Sequence, residues 1–313
     1  MNRMVFAVVA LILLSLHGCN TPVVESKKPK RLYIASDFLT PADSILFKDF
    51  KKRERIKIVI LPMSVDSIVA HYNEKKYNST FDLVLMKSTY ALDFLAKNNV
   101  LHTIEETHTW ENKGFVAPQS DWMILGLDPY VITGAEKNRG FQYNELTYGK
   151  KWKNELNQKE MAAFQASVLF QFGRKNMNKS LTWLEKIEGQ TATPGDTVQT
   201  APYVLSRLSH VQKDGKLFVY PNQSIKFGVF YDGVGVGIIR QASKYTAALS
   251  FISYYSNLVY NQKLCNRLHL LPVQNPNGMS SFSYQNDYPI LFRCTPRDMV
   301  MQFRDLKRIR KRI

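Results

Sequence analysis

Cysteine, glycine, acidic residues and long apolar runs are all scarce in this 313-residue sequence. Three cysteines cannot build a disulfide scaffold, and a chain of this length forms one or two cores without such staples. With 15 Gly, 13 Pro and no low-complexity tract, the sequence is neither collagenous nor largely disordered. It contains no Gly-x-Ser-x-Gly, His-Glu-x-x-His, Cys-x-x-Cys or phosphate-loop pattern. His102 and His108, the closest histidine pair, have no metal-ligand grammar around them. No enzyme and no cofactor are therefore expected. Acidic residues number 26 against 42 Lys and Arg, a formal charge of +16.

A targeting pattern is present at the N-terminus. Arg3 precedes a run from Val5 to Leu16 that only Ser15 interrupts. As a helix the run would cover about 18 Å, too short for a hydrocarbon core of about 30 Å. Its end, Leu16, His17, Gly18, Cys19, resembles a bacterial lipobox, with Cys19 as the acylated residue. Residues 1–18 are read as a lipoprotein signal peptide and 19–30, with its prolines and charges, as a tether. The expected location is the bacterial periplasm or cell surface, lipid-anchored to membrane. In that oxidising compartment Cys265 and Cys294 are expected to form a disulfide, two buried thiols being the alternative.

Beyond the tether, apolar runs alternate with helix starts. Strands are expected at Leu32 to Ala35, Ile56 to Leu61 and Phe81 to Met86. Helices are expected after Thr40, Pro41 and Asp43, after Ser64, and around Leu92 and Leu95. This order predicts an α/β fold with a parallel sheet. The middle third reads as a second α/β lobe. Its helices are expected around Glu145 to Leu156, Glu160 to Phe172, Ser180 to Ile187 and Tyr203 to Val211, with strands at Tyr130 to Thr133, Leu217 to Tyr220 and Phe227 to Tyr231. Asp232 to Ile239 is then a Gly-alternating strand, followed by a helix bearing Ala248, Phe251, Ile252 and Tyr255. A lone strand and helix cannot form a core, so this segment returns to the first lobe. The expected division is 31–115 plus 232–295 for lobe 1, 116–231 for lobe 2 and 296–313 for a basic C-terminal helix. Two crossings make a hinge, and the space between lobes is the default ligand cleft.

These residues resemble a known family. Asp82, Leu83, Val84, the Asn99, Val100, Leu101 edge, and above all the stretch Gly233 to Val273 with its Phe-Ile-x-Tyr-Tyr-Ser helix, Asn261, Gln262 turn and Pro272, Val273 close are similar to the ferric-iron-binding group of extracytoplasmic solute-binding proteins of ABC importers. The resemblance implies a two-lobe type II periplasmic-binding-protein fold with a hinge and interlobe cleft. It also implies a monomer and an ABC permease partner in the inner membrane; the basic charge is not read as nucleic-acid binding, because an exported, lipid-held protein rarely meets nucleic acid.

Ligands of open α/β sheets sit beyond the carboxyl ends of strands. That rule selects Ser36, Asp37, Ser64, Lys87 and Ser88 from the first lobe, Tyr203 from the second, and Tyr231 and Asp232 at the hinge. Each could instead be a helix cap or turn residue. The family's iron binders carry adjacent tyrosines in the second lobe, whereas Pro202 and Tyr203 stand where that pair is expected. Tyr254 and Tyr255 are adjacent but fall on a scaffold helix. Lys87 adds a cation near the site, favouring an anion, a carboxylate or a chelated metal over a bare cation. The metal set is unknown. The function expected is capture of ferric iron, a chelated metal or a small anion for an importer; the alternative is an envelope interaction lipoprotein that keeps the fold without transport. The basic tail from Arg304 to Ile313 has an apolar stripe suited either to packing on the lobe or to an anionic membrane surface.

Overall fold

The apolar runs of the first hundred residues alternate faces as strands do, and they pair as a sheet in a computed structural model. It describes residues 30–74, 80–105, 115–134, 152–157, 160–161, 164–165, 177–189, 203–214, 218–221, 231–273 and 300–301. Strands β1 (Lys30–Ser36), β2 (Ile56–Pro62) and β3 (Leu83–Met86) come first, with β1 and β3 parallel. Leu32, Ile34, Leu83 and Leu85 face one side, and Ala35, Val84 and Met86 the other. Both sides are covered, which explains why the runs are apolar almost throughout.

The helices between them start where the sequence signals them. The Asp43 carboxylate accepts from both the N–H and the hydroxyl of Thr40, opening a 3-10 helix at Pro41–Phe47 that passes into α1 (Lys48–Glu54). Ser64 Oγ accepts from the Ser67 N–H at the start of α2 (Val65–Glu74), and Ser88 Oγ from the Tyr90 N–H at the start of α3 (Thr89–Lys97).

Strand β4 (Trp122–Gly134) is much longer than the four-residue strand expected at Tyr130 to Thr133. Strand β5 (Trp152–Asn154) lies where a helix was expected, and helix α4 (Met177–Gly189) extends the one read at Ser180 to Ile187. The helix read over Tyr203 to Val211 is strand β6 (Tyr203–Arg207) followed by helix α5 (Leu208–Asp214). Pairing overrides local preference here, because β6 lies between β4 and β5 in the sheet. Strands β7 (Phe218–Pro221) and β8 (Tyr231–Ile238), helices α6 (Tyr245–Ser256) and α7 (Leu258–Leu268), and strand β9 (Leu271–Pro272) complete the order.

The sheet runs β2-β1-β3-β8-β4-β6-β5, with β7 and β9 also on β4. It is mixed rather than parallel, because β8 enters antiparallel between β3 and β4. From Trp122 to Pro129, β4 pairs with β8; from Tyr130 to Gly134 it pairs with β6 and β7. One continuous strand thus carries the chain from one group of strands to the next. Gly235 permits this central packing: a Cβ there would lie 2.5 Å from Met123 O and 2.6 Å from Leu92 Cδ1 of α3.

Cys265 carries a buried free thiol whose Sγ donates to Leu125 O, and burial pushes its pKa upward. Cys294, the disulfide partner expected for it, lies outside the described residues. Cys19, the signal segment 1–18, all but Tyr203 of the turn read at Thr197 to Tyr203, and nearly all of the C-terminal helix also lie outside the described residues. No described helix is long and apolar enough to cross a membrane.

Candidate functional site

At the point where β4 changes partners, charged side chains converge from five segments distant in sequence. Arg207 ends β6 and is fully buried, as are Asp128 of β4 and Asp232 of β8. Asp128 and Asp232 are register partners across the two strands, so two carboxylates meet face to face. Such a pair is tolerated only with counter-charge and donors. Arg207 Nε lies 2.8 Å from Asp128 Oδ2, close in distance though not aligned as a hydrogen bond, and its Nη1 is 3.8 Å from Asp232 Oδ2. Nη1 also donates to Glu160 Oε1 at 3.1 Å. Burial opposes the Arg207 charge, but Asp128 and Asp232 outweigh it and raise its pKa.

Fixed donors hold the carboxylates, although Asp232 Oδ2 accepts no hydrogen bond. Asp232 Oδ1 accepts from the Thr89 N–H at 2.8 Å, the Thr89 hydroxyl at 2.6 Å and the Gly233 N–H at 2.7 Å. Asp128 accepts from the N–H and hydroxyl of Ser209 at 2.9 and 2.6 Å. Glu160 Oε2 accepts from the Asn157 N–H while Asn157 Oδ1 accepts from the Glu160 N–H, a reciprocal cap that fixes the Glu160 side chain. Burial works to raise the Glu160 carboxyl; Arg207, the Asn157 N–H and Lys87 together hold it below the usual range. The Tyr130 hydroxyl donates to the Glu160 carbonyl, and burial, then Asp232, raise its pKa.

Lys87 reaches this cluster from the carboxyl end of β3. Its ammonium is in contact with His210 Nε2 on α5 and 3.8 Å from Glu160 Oε1, while its own N–H donates to Asp37 Oδ1 at 3.0 Å. Burial, then Lys87, lowers the His210 pKa, so the ring is the neutral acceptor for the ammonium. Lys87 and Arg207 face Glu160, Asp128 and Asp232: two cations against three carboxylates. The excess positive charge expected from Lys87 is thus cancelled within the cluster.

Beside it lies a cavity of about 520 Å³ lined by Ser36, Asp37, Thr40, Met63, Ser64 and Asn157, among others. Its walls come from the ends of β1 and β2 and, through Asn157, from the segment after β5. Of the residues expected at the site, Ser36, Asp37 and Ser64 line this cavity, and Lys87 and Asp232 belong to the adjoining cluster. Ser36 Oγ accepts from the Phe38 and Leu39 N–H groups, and Ser64 and Ser88 are helix caps. Tyr231 is fully buried opposite Pro129. Tyr203 stands at the opposite end of β6, paired with Gly134; four residues of strand separate it from Arg207, about 13 Å. Tyr254 and Tyr255 pack against Phe50.

Arg207, Ser209, His210, Asp128, Asn157 and Glu160 escaped the sequence reading. Had Tyr203 to Arg207 been taken as a strand, the same carboxyl-end rule would have selected Arg207 to His210. Asn157 and Glu160 carry the spacing of a capping box, and Asp128 is an acid inside an apolar strand, which demands a buried partner. Among the described residues no three His, Cys, Asp or Glu side chains converge as a metal site.

No protein-family model matches the sequence, and no curated protein matches it significantly. Solved structures do match the fold. A Trichodesmium protein in complex with iron and citrate aligns over 90% of this chain and 98% of its own, at 13% identity and a TM-score of 0.73. A ferric binding protein from Campylobacter jejuni covers the same shares at 12% identity and a TM-score of 0.75. The Mannheimia haemolytica ferric iron-binding protein A in an open conformation does so at 15% and 0.75. The fold is the two-lobe, type II periplasmic solute-binding fold. The charged cluster sits where β4 and β8 pair, at Asp128 and Asp232.

Proposed function

We propose that the protein is an extracytoplasmic solute-binding protein, held by lipid on Cys19, that captures a small solute between its lobes and presents it to an ABC importer. The observation that carries this reading is the cavity at the carboxyl ends of β1 and β2, closed by Asn157 from the other side of the crossing. The lobes are those outlined from sequence, with β4 and β8 as the pair that flexes. A solute touching both lobes would stabilise the closed form by its differential affinity for that form. Similar structures include a protein in complex with iron and citrate and a ferric binding protein, so chelated iron heads the solutes to test.

The test is a thermal-shift screen of the body beginning at Lys27, against ferric iron with and without chelators, phosphate, sulfate, carboxylates, polyamines and small polyols. A solute at about 100 times its Kd adds roughly 2.7 kcal/mol, an upward shift of several degrees. A shift that is lost in Asp37→Ala supports the reading. No shift across the panel would favour the envelope interaction lipoprotein, for which the internally neutralised cluster also speaks.

A further inference from the structure

We infer that Lys87 determines the ligand class of this cleft: its ammonium stands in the cation position between Glu160 and His210 and keeps bare metal ions out. The inference rests on the solute-binding reading and names what that cleft rejects. Glu160 and His210 are metal-competent side chains on segments distant from β3, and the Lys87 ammonium engages both. Glu160 is held in place by its reciprocal cap with Asn157 and by Arg207, so it cannot turn away to serve a second cation. The remaining carboxylates of the cluster, Asp128 and Asp232, already accept from Ser209, Thr89 and Gly233 and face Arg207. A metal ion could therefore reach Glu160 and His210 only by displacing the ammonium or by sitting beside it, where like charges about 4 Å apart repel.

The adjoining cavity suits a different guest. Its lining supplies the hydroxyls of Ser36, Thr40 and Ser64, the Asn157 amide and the Asp37 carboxylate, interspersed with Leu39, Pro62 and Met63. Hydroxyl, amide and carboxylate groups over an apolar floor fit a small organic solute rich in hydrogen-bond donors.

Equilibrium dialysis of the full chain against ferric ion delivered from a weak chelator, and against Zn²⁺, tests this. Wild type is expected to bind both poorly, and Lys87→Met to bind at least one about tenfold more tightly, the gain disappearing in Lys87→Met/His210→Gln. Lys87→Arg, which keeps the charge and guards against a folding artefact, is expected to exclude metal as wild type does. Equal affinity of wild type and Lys87→Met, or a gain that survives loss of His210, overturns the inference. The outcome is distinguishable from failure of the solute-binding reading: a wild type that responds to no solute in the thermal screen removes that reading, whereas the metal gain of Lys87→Met is read on the ammonium alone.

Discussion

Two buried regions of this molecule are equally dry and are built by opposite means. One is the aromatic cluster outside the sheet, where Phe50 meets Phe251 and Tyr254 at 5.3 Å edge to face, and Phe251 meets Tyr255 at 4.8 Å. The other is the Arg207 cluster on the crossing strands. The aromatic cluster draws its energy from buried area and ring contacts, which are non-directional and tolerate small shifts. The charged cluster depends on a handful of distances near 3 Å, and each member is costly if its partner moves. A small relative displacement of two sheet segments would change the second kind of contact sharply and the first kind little.

The largest effects should separate the two regions by function rather than by stability. Arg207→Met leaves three carboxylates facing one another and should cost about 3–5 kcal/mol in urea unfolding, together with loss of solute response. Phe50→Ala should cost a similar amount, about 3–5 kcal/mol, with solute affinity unchanged. A stable, binding-competent Arg207→Met would break the comparison. Adding Asp128→Asn and Glu160→Gln to Arg207→Met should recover part of the loss, since fewer buried charges then lack a partner.

Smaller changes sharpen it. Gly235→Ala pushes a methyl against the Met123 carbonyl and should cost about 1–3 kcal/mol, read as a lowered urea midpoint without a changed slope. Ser88→Ala removes the cap of α3 and should cost about 1 kcal/mol. The smallest effect is a pH dependence. His210 is held below its ordinary value by burial and Lys87, with Arg207 acting the same way and Glu160 and Asp128 opposing. The unfolded chain therefore binds the proton more readily, so this stability is present above about pH 6.5 and is lost as pH falls toward the folded value. Melting curves from pH 7.5 to 5 should show a decline that His210→Gln reduces; an unchanged slope would place the ring outside the cluster's balance.

Local signals were enough for the scaffold. Thr40, Pro41 and Asp43 started a helix, Ser64 and Ser88 capped theirs, and the apolar runs at β1, β2 and β3 were legible because a strand covered on both faces has few polar positions. The Gly-alternating strand was legible too, and it pairs with β3. The site was half legible. Asp37 and Lys87 follow strands that the pattern identified and Asp232 lies in one, whereas Arg207 and His210 were hidden by reading β6 as helix. Tyr203, Val204 and Leu205 fit either structure, and only pairing with β4 and β5 decides between them.

What the sequence by itself determined is therefore the class of fold, the order of its elements up to α3 and the ends of those strands where a ligand could lie, since periodicity and caps act over a few residues. Only the tertiary structure decided that Asp128, Glu160, Arg207 and Asp232 share one buried network, that Lys87 is neutralised rather than free to attract an anion, and that Cys265 is buried against Leu125. Those outcomes depend on contacts between residues tens to more than a hundred positions apart, where charge and burial are set by register between strands and not by neighbours along the chain.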